Sequence, residues 1–151
     1  MKTALSIVGI VFLVLLFLGA CFIGFVVYEG NRYDATSKAY ADESVQAIAA
    51  NWSKDELAKR EAPEFQRVTS DEQLTELFSK LSTLGPLQNY SGSKGDANVN
   101  LTPSSGLRIT AVYVGDANCQ NGKAEIKLTL IAVDGGWKIL GFRVNSPVFG
   151  K

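Results

Sequence analysis

The chain has 151 residues, with 15 basic and 15 acidic side chains, two cysteines and no histidine. A net charge of zero excludes the strong field that would steer a protein to nucleic acid, and the missing histidine removes the commonest general base and metal ligand near neutral pH. Two cysteines, one in an apolar leader and one far outside it, make neither a disulfide framework nor a zinc spacing.

From Ala4 to Tyr28 no residue is charged. As a helix this stretch reaches about 37 Å, against about 30 Å of bilayer hydrocarbon, so it is long enough to span with some tilt. Within it, LGACFIGFVVYEG at residues 18–30 carries three competing signals. Leu18-Gly19-Ala20-Cys21 matches the box at which a lipoprotein is cut and acylated on the cysteine. Gly24-Phe25 followed by Glu29 has the letters of a prepilin cleavage site. The same residues also read as the second half of an uncleaved membrane helix. The prepilin reading fails on order, because here the apolar stretch precedes the cut. A cleaved signal needs an apolar core of only about 7–15 residues, and Phe22 to Tyr28 prolongs the run past the candidate cut. The expectation is therefore a retained anchor at residues 1–30, with acylation at Cys21 and simple cleavage as the alternatives. Lys2 and the amino terminus precede the span, while Arg32 and Lys38 follow it, so the charge count is balanced. Orientation leans on the usual behaviour of a short-leader anchor: amino terminus in the cytoplasm, residues 31–151 outside the inner membrane, and Tyr28 and Tyr33 at the interface.

Past Gly30, a helix is expected from about Asp34 to Asn51, with Ala41, Val45, Ile48 and Trp52 along one face. Ser53-Lys54-Asp55-Glu56 has the spacing of a capping box and predicts a short second helix ending before Pro63. Ser70-Asp71-Glu72-Gln73 opens a third, with Leu74, Leu77, Phe78, Leu81 and Leu84 on one side and Gly85-Pro86 as its stop. The period then changes to two. Leu107–Val114 and Ala124–Val133 read as strands joined by a hairpin at Asn121-Gly122, and Asp134-Gly135-Gly136 leads into a last strand from Trp137 to Val144. An earlier strand lies between Leu87 and Leu101, interrupted by a bulge or loop at residues 91–96. Helices followed by a four-stranded antiparallel meander make an α+β domain with its helices packed on one sheet face.

This order, with LGPL at residues 84–87 and GGWKILGFRVNS at 135–146, resembles small membrane-tethered bacterial domains of the NTF2-like and cystatin-like superfamily over about residues 34–147. The resemblance implies a strongly curved sheet that wraps the helices around a conical pocket. It is architectural and transfers no functional residue, since the superfamily holds isomerases, dehydratases, transport adaptors and non-catalytic accessory domains alike.

Tyr40, Trp52, Phe65, Phe78, Tyr90, Tyr113, Trp137 and Phe142 supply the aromatic area, either as a pocket lining or as the core filling that a domain this small needs. Trp137, after the glycine pair, is the favoured core anchor. Trp52, Tyr90, Tyr113 and Arg143 are the pocket candidates, and Arg108 and Arg143 are strand arginines that belong either to an anion site or to the solvated face. Catalysis in such a fold needs a carboxylate of raised pKa beside a tyrosine. Tyr113 has only Asp116 near it, Glu125 alternates as a half-exposed strand residue does, and Cys119 has no histidine to activate it. No catalytic set, metal site or cofactor is expected. Sequons at Asn51, Asn89 and Asn100 matter only in a eukaryotic secretory route, and Gly9, Gly19 and Gly24 form no packing stripe for self-association. The expected function is a non-enzymatic, membrane-anchored envelope module that meets a partner protein or small ligand through its sheet face or pocket. The rival is a pocket enzyme of the isomerase or dehydratase type.

Overall fold

The protein, described here as a computed structural model, is defined for residues 2–150, with side chains for residues 9–150; Lys2 and the first part of the expected span, residues 4–8, have side chains outside that range. Two units divide between Tyr33 and Asp34.

The first unit is helical. From residue 9 to residue 28 it is apolar on every side, with the large side chains from Ile10 to Tyr28 exposed and a mean hydropathy of 3.1 over its most apolar window. A helix with no polar face has no surface that water solvates well. By length and composition it is able to cross a membrane. Cys21 is an exposed free thiol on it.

Helix α1 spans Lys2–Ala49. The expected start near Asp34 is thus not a start. Gly30 is the weakest helix former at the junction, and one glycine costs about 1 kcal/mol relative to alanine, too little to break a helix without a proline. Within the second unit, α1 buries Ala41, Val45, Ile48 and Ala49. It ends earlier than expected, because Trp52 takes a left-handed conformation (φ 49°) and the Ser53 amide donates to Ile48 O at 2.9 Å. That is the Schellman closure, usually built on glycine, here built on tryptophan.

Helix α2 (Lys54–Ala58) is capped by the Ser53 hydroxyl, which accepts from the Glu56 amide at 3.3 Å. The reciprocal half of the box is absent: the Ser53 amide is already used by Ile48, and the Glu56 carboxylate pairs with Lys59 and Arg60 instead. Helix α3 (Pro63–Val68) was not expected; Pro63 opens it at a position where the missing amide costs nothing, and Phe65 is its buried residue. Helix α4 (Asp71–Ser82) has the complete box, with Gln73 N to Ser70 Oγ at 3.2 Å and Ser70 N to Gln73 Oε1 at 2.9 Å. Leu74, Phe78 and Leu81 are buried, as is Leu84 just beyond, and Gly85 (φ 72°) ends the segment.

Four antiparallel strands follow as a meander in the order β1-β2-β3-β4: Leu87–Thr102, Gly106–Cys119, Gly122–Val133 and Gly136–Asn145. A 3₁₀ turn at Pro147–Gly150 closes the chain. The interruption expected in β1 is a bulge: Tyr90 pairs with Ala117 and Ser93 with Gly115, so Ser91 and Gly92 face the single residue Asp116. The β3–β4 turn is Asp134-Gly135, with φ of 50° and 78°, the geometry that suits a tight hairpin. The β2–β3 turn differs from expectation. Cys119 pairs with Gly122, which leaves Gln120-Asn121 in the turn. The Gln120 and Asn121 amides donate to Pro86 O and Leu84 O, and the Asn121 side-chain amide donates to Thr83 O. Contacts with the end of α4 therefore set this turn, overriding the Asn-Gly preference.

One sheet face carries Tyr113, Ile126, Leu128, Leu130 and Ile139, all nearly or fully buried with Ile48, Leu57, Leu81 and Leu84 from the helical segments. Each such aliphatic side chain contributes about 1.5–3 kcal/mol when removed from water. The helices-then-sheet α+β architecture is as expected, with four helical segments rather than three.

Candidate functional site

Two polar constellations stand out, one inside the helix–sheet packing and one on the opposite sheet face. The inner one begins on α1, where Asp34, Ser37, Lys38 and Asp42 follow at helical spacing. Asp42 Oδ1 accepts from the Ser93 hydroxyl at 2.6 Å, the Ser93 amide at 2.8 Å and the Tyr90 hydroxyl at 2.9 Å, and Lys38 Nζ lies 2.6 Å from Oδ2. The bulge in β1 is what aims both Ser93 donors at one carboxylate oxygen. Two turns back, Asp34 Oδ1 accepts from the Ala97 amide at 2.7 Å, and the Asp34 carbonyl accepts from the Tyr113 hydroxyl at 3.1 Å; Ser37 Oγ is 2.8 Å from the same hydroxyl. Burial works to raise the Asp42 pKa, but the hydrogen bonds from Lys38, Ser93 and Tyr90 outweigh it and hold the carboxyl below its ordinary value. Tyr90 is pushed well up, first by burial and then by the adjacent Asp42 charge. Burial likewise raises Tyr113.

Chemically, this seam is a set of satisfied pairs. The Asp42 carboxylate is held ionised and Tyr90 and Tyr113 protonated, the opposite of the raised carboxylate a general acid requires. A methyl at Gly115 would sit 2.6 Å from the Tyr90 hydroxyl, so no free space adjoins the pair there.

The outer constellation follows from strand alternation. Ile126 and Leu128 are buried, so Glu125, Lys127 and Thr129 face the other way. Cross-strand pairing sets Arg143 directly opposite Lys127, and Asn145 opposite Glu125. Two cations face each other across adjacent strands, an arrangement that disfavours the sheet unless an anion shares it. Neither Lys127 nor Arg143 makes an ion pair among the described residues. Beside them lies an open groove of about 380 Å³ between the end of α3 and strands β3 and β4, with Phe65 and Val68 on one wall and Thr129, Gly141 and Arg143 on the other. A second open depression, lined by Glu125, Lys127, Arg143, Val144 and Asn145, continues along the same face.

The four pocket candidates do not converge. Trp52 is buried and donates its indole N–H to Gly85 O at 2.7 Å, tying the end of α1 to the turn between α4 and β1. Tyr90 and Tyr113 belong to the inner seam. Arg143 lies on the outer face, separated from the other three by the sheet itself. Of the remaining aromatics, Phe65 and Phe78 are buried, Phe142 stacks on Phe78 with centroids 6.1 Å apart, and Trp137 is only half-buried, with its indole N–H 3.2 Å from Thr36 Oγ1. Ile139, fully buried two residues on, is the deeper anchor of β4. Arg108 lies 3.4 Å from Glu64. Cys119 is buried, and burial raises its thiol pKa, which lowers the thiolate fraction a nucleophile needs. Among the described residues no three acidic or cysteine side chains gather as a metal site would require.

Lys127 was missed in the sequence because its significance depends on register. Only the bulge between Thr129 and Leu130 decides that it meets Arg143 and not a neighbour. Asp42 was missed because its partners, 48 and 51 residues away, lie on a strand whose irregularity no local pattern specifies.

No family model, curated protein or solved structure matches this chain.

Proposed function

We propose that this is a non-enzymatic accessory module of the bacterial cell envelope. Its amino-terminal helix stays in the inner membrane with the amino terminus in the cytoplasm, and residues 34–151 work on the outer side of that membrane. There the domain recruits an acidic partner protein or small anionic ligand through the sheet face around Lys127 and Arg143. The observation that carries this reading is the directly opposed Lys127–Arg143 couple, without an ion pair among the described residues, beside an open groove in a chain that also has a helix able to cross a membrane. Tethering confines the module to the membrane surface and so raises its effective concentration towards other envelope components. The helices-then-meander order supports membership of the NTF2-like and cystatin-like architecture.

The pocket-enzyme alternative has one observation in its favour, a carboxylate beside a tyrosine at Asp42 and Tyr90. Against it, that carboxylate has its pKa lowered, and both groups are committed to holding β1.

Full-length protein extracted in mild detergent tests the proposal. Co-purification of an envelope component with the natural chain, weakened by salt and lost in Lys127→Glu/Arg143→Glu while the melting temperature is kept, is the expected result. Recovery that is unchanged by the double substitution rules this face out.

A further inference from the structure

The β1–β2 hairpin continues beyond the helix-covered core. Pairing of Val99 with Ile109 and Leu101 with Leu107 puts all four side chains on one face of the hairpin, the face that is buried lower down at Ala111 and Tyr113. Towards the tip nothing covers it: Val99, Leu101 and Leu107 are 58, 76 and 64 % exposed. Asn98 and Asn100 take the opposite face. From Ala97 to Leu107 there is no charged residue, and at the tip the Thr102 and Ser105 hydroxyls bond each other. An exposed, uncharged, one-sidedly apolar hairpin matches a medium that is apolar on one side and polar on the other.

The position of the tip in the second unit gives the occupant. Asp42 is bonded to Ser93 and Asp34 to Ala97, so β1 advances along α1 as the helix numbers fall. Past Ala97, the strand continues about 13 Å to Leu101, at about 3.3 Å per residue, on the side from which the chain leaves for its uncharged segment. Tyr28, the last residue of that segment, is six residues before Asp34, which limits the distance between them to about 20 Å even in a fully extended chain. A bilayer holding residues 4–28 is therefore within reach of the tip.

We infer that the β1–β2 hairpin tip, through Val99, Leu101 and Leu107, is a second membrane contact that dips into the lipid headgroup region. Depth is limited to that region because β1 is an edge strand, whose unpaired amides and carbonyls need water or headgroup partners and cannot enter hydrocarbon.

The inference rests on residues 4–28 being a membrane anchor, and the test separates the two. Full-length Leu101→Trp is reconstituted into phosphatidylcholine/phosphatidylglycerol vesicles with and without lipids brominated high on the acyl chain. Its fluorescence is read against the natural chain and against Val68→Trp, an exposed position on α3. Expected are flotation with the vesicles, and a blue shift and bromine quenching of the fluorescence added at position 101 but not at position 68. Floating protein whose added emission stays unshifted and unquenched overturns the hairpin contact and leaves the anchor. A shift that grows with protein-to-lipid ratio without bromine quenching shows a second copy on the hairpin and also overturns it. Protein that does not float overturns both.

Discussion

At Asp42, one carboxylate oxygen receives three donors and the other an ammonium, and the consequence is a pH dependence whose sign is fixed. The folded-state pKa lies below the ordinary carboxylate value of about 3.9, so the unfolded chain takes up the proton first on acidification. The stabilisation is complete above the unfolded value and is lost as pH falls through the folded one. Asp42→Asn keeps the shape but removes the charge-assisted bonds, and hydrogen bonds to charged groups are worth about 1.5–3 kcal/mol each before compensation. The variant is expected to lose about 1–3 kcal/mol at pH 7 in urea melts of the full chain in detergent, with the deficit shrinking as pH falls below about 4. A deficit that stays constant over that range would show that the charge of Asp42 does not stabilise the fold. None of this was legible from the residue alone, where Asp42 reads as one more solvated helix acid.

Elements differ in how far their own letters specify them. Helix α4 carries its start signal complete within four residues, and both bonds of the capping box form as the spacing requires. Helix α2 has the same spacing with only one of the two bonds, because the Ser53 amide is claimed by the closure of α1. Ser70→Ala and Ser53→Ala each lose one hydroxyl acceptor and are expected to cost about 1 kcal/mol alike, the usual range for a lost N-cap. Gln73→Ala, which removes the second bond of the box, is expected to cost about 0.5–1 kcal/mol at α4 alone. Thermal melts of the three variants side by side check this, and a Gln73→Ala chain that melts with the natural one would mean that the second bond of the box contributes nothing. Turns divide in the same way. Asp134-Gly135 adopts the positive φ angles its residues favour, whereas Asn121-Gly122 yields the turn to Gln120-Asn121 under hydrogen bonds from the α4–β1 joint. Local preference decides a turn when nothing else touches it.

For the molecule as a whole, the fate of the amino-terminal segment governs where the Lys127–Arg143 face is presented. The uncleaved-anchor reading expects protein extracted from membranes to have the full-chain mass of 16.3 kDa. A mass corresponding to a start at Cys21 with acyl chains, or to a shorter soluble form, would replace the anchor with a lipid tether or a free domain. What the amino-acid sequence determined by itself were the features carried by contiguous residues: the apolar stretch, the period-3.6 face of α4, the alternation of β2–β4, and hence the α+β order. Helical and strand periodicity and apolar length are local properties, and they survive wherever the segment is placed. Tertiary structure alone decided that β1 is bulged, that Trp52 and Tyr113 face inward while Arg143 faces Lys127 outside, and that the β1–β2 tip is bare. Each of those depends on strand register or on a partner dozens of residues away, and a one-residue change in pairing, which moves every side chain to the other face, is invisible to local pattern.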